Sequence, residues 1–91
     1  MQAQFRLSGP LTFDTVHLNL KRLLVALEGV KTTLFVSMSG VTSCDSAGLA
    51  LLIEAKRLSV QYQKDVVIQG LSEPIKALIQ FCGVEGLLNG Q

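Results

Sequence analysis

The chain has 91 residues, 48% hydrophobic and 16% charged, with a formal net charge of +1, so it fits one domain over residues 1–91 and its positive mean hydropathy leaves no case for disorder. This balance supplies neither the basic field that nucleic acid requires nor a polybasic membrane motif. No apolar run approaches the roughly 20 residues that span a bilayer, and Met1 to Arg6 lacks the basic and apolar regions of a signal peptide, so a cytoplasmic protein without direct membrane insertion is expected.

In chain order, Phe5, Leu7 and Leu11 around Ser8-Gly9-Pro10 read as a short strand ending in a turn, since proline argues against a long central strand. Val16, Leu20, Leu23, Leu24 and Leu27 then recur at helical spacing, with Asp14 as the cap and Gly29 just beyond the end. His17, Asn19, Lys21 and Arg22 fall largely outside that stripe. Thr33 to Met38 is rich in β-branched and aromatic residues, and Ser39-Gly40 breaks it. A helical pattern follows from Ala47 to Lys64. Asp65 to Gln69 reads as a buried strand closed by Gly70. Ser72 caps a further helix with Pro74 in its first turn, Ile75, Leu78, Ile79 and Cys82 on one face, and Gly83 at its end. The tail from Val84 to Leu88 fits a short edge strand. Strands alternating with helices predict an α/β domain, with a mixed sheet because the first strand is short and irregular.

The most informative stretch is Val41 to Leu52, where small polar residues separate a strand from an apolar helix. Either Ser43 or Asp45 can accept hydrogen bonds from the orphan N–H groups of the first turn. Ser46 lies within that turn, where free N–H groups and the helix dipole favour negative charge. On the wheel of this helix, Ala50, Glu54, Arg57, Gln61 and Lys64 form the polar side with Ser46 at its edge. Leu49, Leu52, Ile53, Ala55, Ser59 and Val60 lie opposite, and Leu51, Leu58 and Tyr62 widen the apolar arc. That width fits either a partner or a helix wrapped closely by its own domain. Lys56, inside the arc, is expected to snorkel.

Cys44 and Cys82 lack C-x-x-C spacing and are expected to be reduced. Cys44 stands near a helix N-terminus, a position that lowers a thiol pKa and leaves a redox role open. Cys82 reads as a small core residue. Cys44-Asp45-Ser46-Ala47-Gly48 departs from the nucleophile elbow G-x-S-x-G at its first position. A Ser/His/Asp arrangement would need Ser46, the sole histidine His17 and one of Asp14, Asp45 or Asp65, with His17 facing solvent. The common metal and nucleotide motifs are absent. A binding module is the stronger class, with no catalytic residue, metal or cofactor assigned.

Asp45-Ser46-Ala47-Gly48-Leu49 after one strand, with Ser8-Gly9 after an earlier one, resembles the STAS domain of anti-anti-sigma factors over most of the chain. The resemblance implies a mixed sheet of four or five strands with helices packed on one side. It also places Ser46 at the regulatory phosphorylation position of that family. Within the family, Gly48-Leu49-Ala50-Leu51-Leu52 and Val67-Ile68-Gln69-Gly70-Leu71, followed by a capped helix, are more similar to the small STAS subunits of Mla phospholipid-transport ABC complexes. Those subunits reside at the cytoplasmic face of the Gram-negative inner membrane. This implies a non-enzymatic subunit that binds the transporter's ATPase, supports its assembly or activity, and is recruited to the membrane face by that partner. The implied contact residues are Thr42, Ser43, Cys44, Asp45, Ser46, Ala47 and Gly48, with Ala50, Leu51 and Glu54 on the following helix. The alternative is an anti-anti-sigma switch whose partner is an anti-sigma factor kinase and whose phosphate on Ser46 repels that partner. Ala47 stands where that pattern often carries a second serine, which favours Ser46 as a contact over Ser46 as a modified residue.

Overall fold

The computed structural model describes residues 3–88. Its elements run β1 (Ala3–Leu11), α1 (Val16–Gly29), β2 (Thr33–Cys44), α2 (Ser46–Gln61), β3 (Asp65–Gln69), α3 (Glu73–Cys82) and α4 (Glu85–Leu88). Among the described residues the sheet has three strands in the order β1-β2-β3, and both pairings are parallel. The expected mixed sheet of four or five strands is therefore corrected to a three-stranded parallel one. Each parallel pair is joined through a helix, the crossover that parallel strands require.

Two expected strand ends are not ends. β1 continues through Ser8-Gly9-Pro10 because register shifts after Arg6 and after Gly9, with Gly9 at φ +70°, absorb the irregularity. Pro10 is tolerated because β1 is an edge strand. β2 likewise runs past Ser39-Gly40 to Cys44, and Ser8 pairs with Gly40 there. A Cβ on Gly40 would lie 3.1 Å from Ser8 Cβ and 3.2 Å from the Leu7 carbonyl oxygen. This glycine permits close approach of two strands and does not stop one.

Leu34, Val36 and Met38 are buried at alternate positions of β2, and the helices pack on that face. The core joins them to Leu7 and Leu11 of β1, Leu23 and Leu27 of α1, Leu52 and Ala55 of α2, and Val66 of β3. α1 begins at Thr15 in place of Asp14. Thr15 Oγ1 donates to the Pro10 carbonyl at 2.9 Å and accepts from the Thr12 N–H at 3.0 Å, so the hydroxyl braces the preceding turn and does not cap the helix. Asn19, expected outside the apolar stripe, is buried and donates from Nδ2 to the Thr15 carbonyl at 3.1 Å.

α2 starts one residue early and ends at Gln61, short of Lys64. Its wide apolar arc is largely wrapped by the domain itself: Leu51 and Leu58 are buried and α2 packs against α1, α4, β2 and β3. Val60, expected in that arc, is instead exposed near the end of the helix. Lys56 snorkels as expected, donating from Nζ to the Val66 carbonyl at 2.6 Å. Lys64 Nζ reaches the Leu27 and Glu28 carbonyls at 2.9 and 3.1 Å, satisfying two free acceptors at the end of α1.

Ser72 occupies the N-cap position of α3 without a side-chain hydrogen bond. Ile75 and Ile79 are the buried contacts of this helix, whereas Phe81 and Cys82 in its last turn are exposed, so Cys82 is not a core residue. Gly83, at φ +71°, ends α3 in the left-handed conformation, and the Val84 N–H donates to the Ile79 carbonyl at 3.3 Å. The chain then re-enters a helical turn that buries Leu88, so the tail from Val84 to Leu88 forms α4 where an edge strand was expected.

Candidate functional site

β1 and β2 are parallel and both end on one side of the sheet, where their following turns meet. Crevices beyond the carboxyl ends of parallel strands are habitual binding places in α/β folds. Leu11 pairs with Cys44 there, and the Asp45 N–H donates to the Leu11 carbonyl at 3.3 Å.

Asp45, and not Ser43, caps α2. Its extended backbone directs Oδ1 at the N–H groups of Ala47 (2.9 Å) and Gly48 (3.1 Å). The other oxygen, Oδ2, accepts from the Phe13 N–H at 3.3 Å. One carboxylate thereby starts α2 and ties the β2–α2 turn to the β1–α1 turn. The donated bonds, that of Gly48 foremost, hold the Asp45 pKa below its ordinary value. Gly48 is required by the same close approach: a Cβ there would collide with the Leu11 carbonyl oxygen and lie 2.8 Å from Cys44 Sγ.

Within this frame Thr42, Ser43 and Ser46 are exposed and Ala47 is half-buried. Ala50 follows one turn after Ser46 and is also exposed. Glu54 is half-buried and pairs with Arg57, Oε1 lying 2.6 Å from Nε and Oε2 2.7 Å from Nη2. The hydrogen bond from Arg57 lowers the Glu54 pKa.

Two expectations change here. Leu51, expected to be a contact, is 4% exposed, and it belongs to the core because α1 packs over that side of α2. Cys44 is half-buried, and burial first, then the Asp45 charge, raises its thiol pKa. The helix start therefore does not activate this thiol. Its sulfur lies against Gly48, and the nearby carboxylate already occupies the capping N–H groups.

Sequence reading missed the opposite wall. Phe13 is 71% exposed although its N–H is held by Asp45. Together with Val16, His17 and Leu20 it faces Ala47, Ala50 and Glu54 across an open groove of about 450 Å³. Val16 and Leu20, members of the apolar stripe of α1, are both half-buried at the margin of the core. His17 is exposed, as expected. The available signal is an aromatic residue, Phe13, within the turn that follows β1. Among the described residues no group of three or more His, Cys, Asp or Glu side chains could hold a metal ion.

This arrangement, a rigid turn presenting a serine beside an apolar groove, suits recognition of another protein. Residues 2–89 match the family model described as "Mlab, STAS domain". The chain belongs to the STAS domain family. Among solved structures, this STAS domain is similar to a sulfate transporter family protein from Wolinella succinogenes, with a TM-score of 0.75 and 21% identity over 93% of this chain and 70% of that one. It is also similar to the anti-sigma factor antagonist SpoIIAA in its unphosphorylated form, with a TM-score of 0.73 and 20% identity over 96% of this chain and 78% of that one. At such identities the likeness is one of fold. No curated protein matches the sequence.

Proposed function

We propose that this STAS domain is a non-enzymatic docking subunit that binds the ATPase of a phospholipid-transport ABC complex and supports its assembly or activity. The observation that carries the reading is the Asp45-locked turn, which holds Ser46 exposed beside the groove between Phe13 and Ala50. The family description, which names Mlab, supports the choice of partner. Thr42, Ser43, Cys44, Asp45, Ser46, Ala47, Gly48, Ala50 and Glu54 supply the turn and the α2 wall. Phe13 and Val16 supply the second wall, and Leu51 underlies the groove from the core. Apolar partner side chains entering the groove would lose water contact, while the fixed turn sets the register of polar contacts around Ser46. Among the described residues no helix is long and apolar enough to cross a membrane, so location at the inner-membrane face would come through the ATPase.

Pull-down and titration with the purified ATPase test this reading. Ser46→Glu places a charge at the centre of the contact and should weaken binding by about tenfold or more, whereas Ser46→Ala should stay within about threefold. An undiminished complex with Ser46→Glu overturns the docking face. The second reading is an anti-anti-sigma switch, and the exposed hydroxyl of Ser46 on the first turn of α2 favours it. A mass increase of one phosphate at Ser46 on incubation with an anti-sigma factor kinase and ATP, together with failure to bind the ATPase, would decide for it.

A further inference from the structure

Among the described residues two phenylalanines are exposed, Phe13 at 71% and Phe81 at 90%. Their surroundings differ. Phe81 lies in the last turn of α3, away from the groove beside Ser46, whereas Phe13 is the largest apolar side chain lining it. The backbone around Phe13 is held from two directions. Locally, the Thr15 and Val16 N–H groups donate to the Thr12 carbonyl at 2.9 and 3.0 Å, and Thr15 Oγ1 accepts from the Thr12 N–H at 3.0 Å. From across the site, Asp45 Oδ2 accepts from the Phe13 N–H at 3.3 Å. The local bonds shape the turn, and the carboxylate sets where that turn stands relative to α2.

The two oxygens of Asp45 divide these tasks. Oδ1 takes the N–H groups of Ala47 and Gly48, which leaves Oδ2 for Phe13. A carboxylate can do both because each of its oxygens accepts. Asparagine would cap α2 about as well through its one oxygen, but it would turn its NH₂ towards the Phe13 N–H, donor against donor. The groove between the two walls is apolar. Its ionisable lining groups are His17 and Glu54, and Glu54 is already paired with Arg57. Ala47 and Ala50 offer only methyl groups on the α2 side, so the large side-chain surface comes from Phe13, Val16 and Leu20. Of these three, Phe13 alone is exposed.

We propose that Phe13 is the principal anchor of the docking face and that Asp45 is its positioning residue, acting on the partner through the Phe13 backbone. The group it receives is a large aliphatic or aromatic side chain of the ATPase, inserted between the Phe13 ring and Ala50. This role rests on the docking of the ATPase proposed for the same face. Covering an aromatic ring that is already held in place removes much apolar surface from water and leaves little to be ordered on association. One carboxylate therefore has two separable effects, on the start of α2 and on the aim of the anchor.

Titration of the full chain with the purified ATPase tests the anchor. Phe13→Ala should weaken binding by about thirtyfold or more, whereas Phe81→Ala, which removes the same ring from a more exposed position, should change it by less than about twofold. Asp45→Asn should weaken binding by about tenfold alone but by less than about twofold in the Phe13→Ala background, since the aim of a missing ring no longer matters. Amide hydrogen exchange of the free chain follows the tie itself. The Phe13 amide should exchange at least about tenfold faster in Asp45→Asn, while the Ala47 and Gly48 amides stay within about threefold. Wild-type binding that survives Phe13→Ala within about threefold overturns the anchor and leaves the docking face standing. Additive losses in the double variant overturn the positioning role in favour of direct contact between Asp45 and the ATPase. Exchange at Phe13 unchanged by Asp45→Asn overturns the hydrogen-bonded route. Failure of the wild type to bind the ATPase removes the docking face and the anchor together.

Discussion

α1 and α2 both follow parallel strands and both begin on the same side of the sheet, yet their starts are built differently. α1 begins at Thr15 with no side-chain cap, and its threonine faces back into the turn towards Pro10 and Thr12. α2 begins at Asp45, whose carboxylate takes two N–H groups of its own helix and a third from Phe13 on the neighbouring turn. The β1–α1 turn is thus shaped locally and then held from outside by its neighbour. Rigidity is concentrated in the turn that carries Ser46, and the turn that carries Phe13 inherits it. Docking surfaces gain when their contact groups are fixed before binding, because less ordering remains to be done on association.

The largest effect should come from adding one carbon at each helix in turn. Gly48→Ala drives a Cβ into the Leu11 carbonyl and towards Cys44 Sγ, and neither backbone can yield without moving Asp45. Destabilisation of at least about 2 kcal/mol is expected, as for overpacking in a tight core. Gly29→Ala, at the last residue of α1, meets no atom within 4 Å. It should be neutral or stabilising by up to about 1 kcal/mol, from higher helix propensity. Urea denaturation of the two variants measures the contrast. Equal midpoints would mean that the junction of the two turns is not rigid.

A smaller effect separates the two helix starts by pH. The folded-state pKa of Asp45 is lowered by the N–H groups of Gly48, Phe13 and Ala47. A depressed carboxylate contributes stability that is fully present above its unfolded pKa of about 3.9 and is lost as pH falls through the lower folded value. The melting temperature of the wild type should therefore fall below about pH 4 more steeply than that of Asp45→Asn, which keeps the shape but not the charge. Thr15→Ala removes the bonds to Pro10 and Thr12 and should cost about 1 kcal/mol at every pH, because no titrating group is lost. Parallel acid limbs for wild type and Asp45→Asn would remove the carboxylate from this role.

What the sequence made legible follows the range of each interaction. Asp45 acts on residues two and three positions ahead, so the start of α2 and the exposure of Ser46 could be read from local chemistry. Its bond to Phe13 spans 32 positions, so the aromatic beside the strand end is visible in the sequence but the carboxylate that holds it at the rim of a groove is not. Gly40 and Pro10 read as breakers because their local preference is to interrupt. Pairing between β1 and β2 makes Gly40 a point of close contact in place of a strand end, while Pro10 lies outside a central strand, as expected, but within an edge strand that continues to Leu11. Cys82 and Val84 to Leu88 depart from expectation for a related reason. An apolar residue near a helix end is buried only if later chain covers it, and that chain turned into α4 against α2 and left the last turn of α3 open.

The smallest predicted effect distinguishes the two cysteines and tests whether the α2 start acts on anything besides backbone. A helix N-terminus ordinarily favours thiolate. Cys44 sits beside one, but its thiol is half-buried and faces the Asp45 charge, and its pKa is raised. The N–H groups that would stabilise a thiolate are already bonded to the carboxylate. Cys82, exposed at the end of α3, has neither constraint. Iodoacetamide at neutral pH should therefore alkylate Cys82 first, with Cys44 several-fold slower. Asp45→Asn, which removes the opposing charge and keeps the side-chain shape, should accelerate Cys44 while leaving the rate at Cys82 unchanged. Mass spectrometry of the two tryptic peptides reads both rates in one experiment. Faster modification of Cys44 in the wild type would mean that the positive end of α2 is still available at the turn, and that the carboxylate does not saturate it.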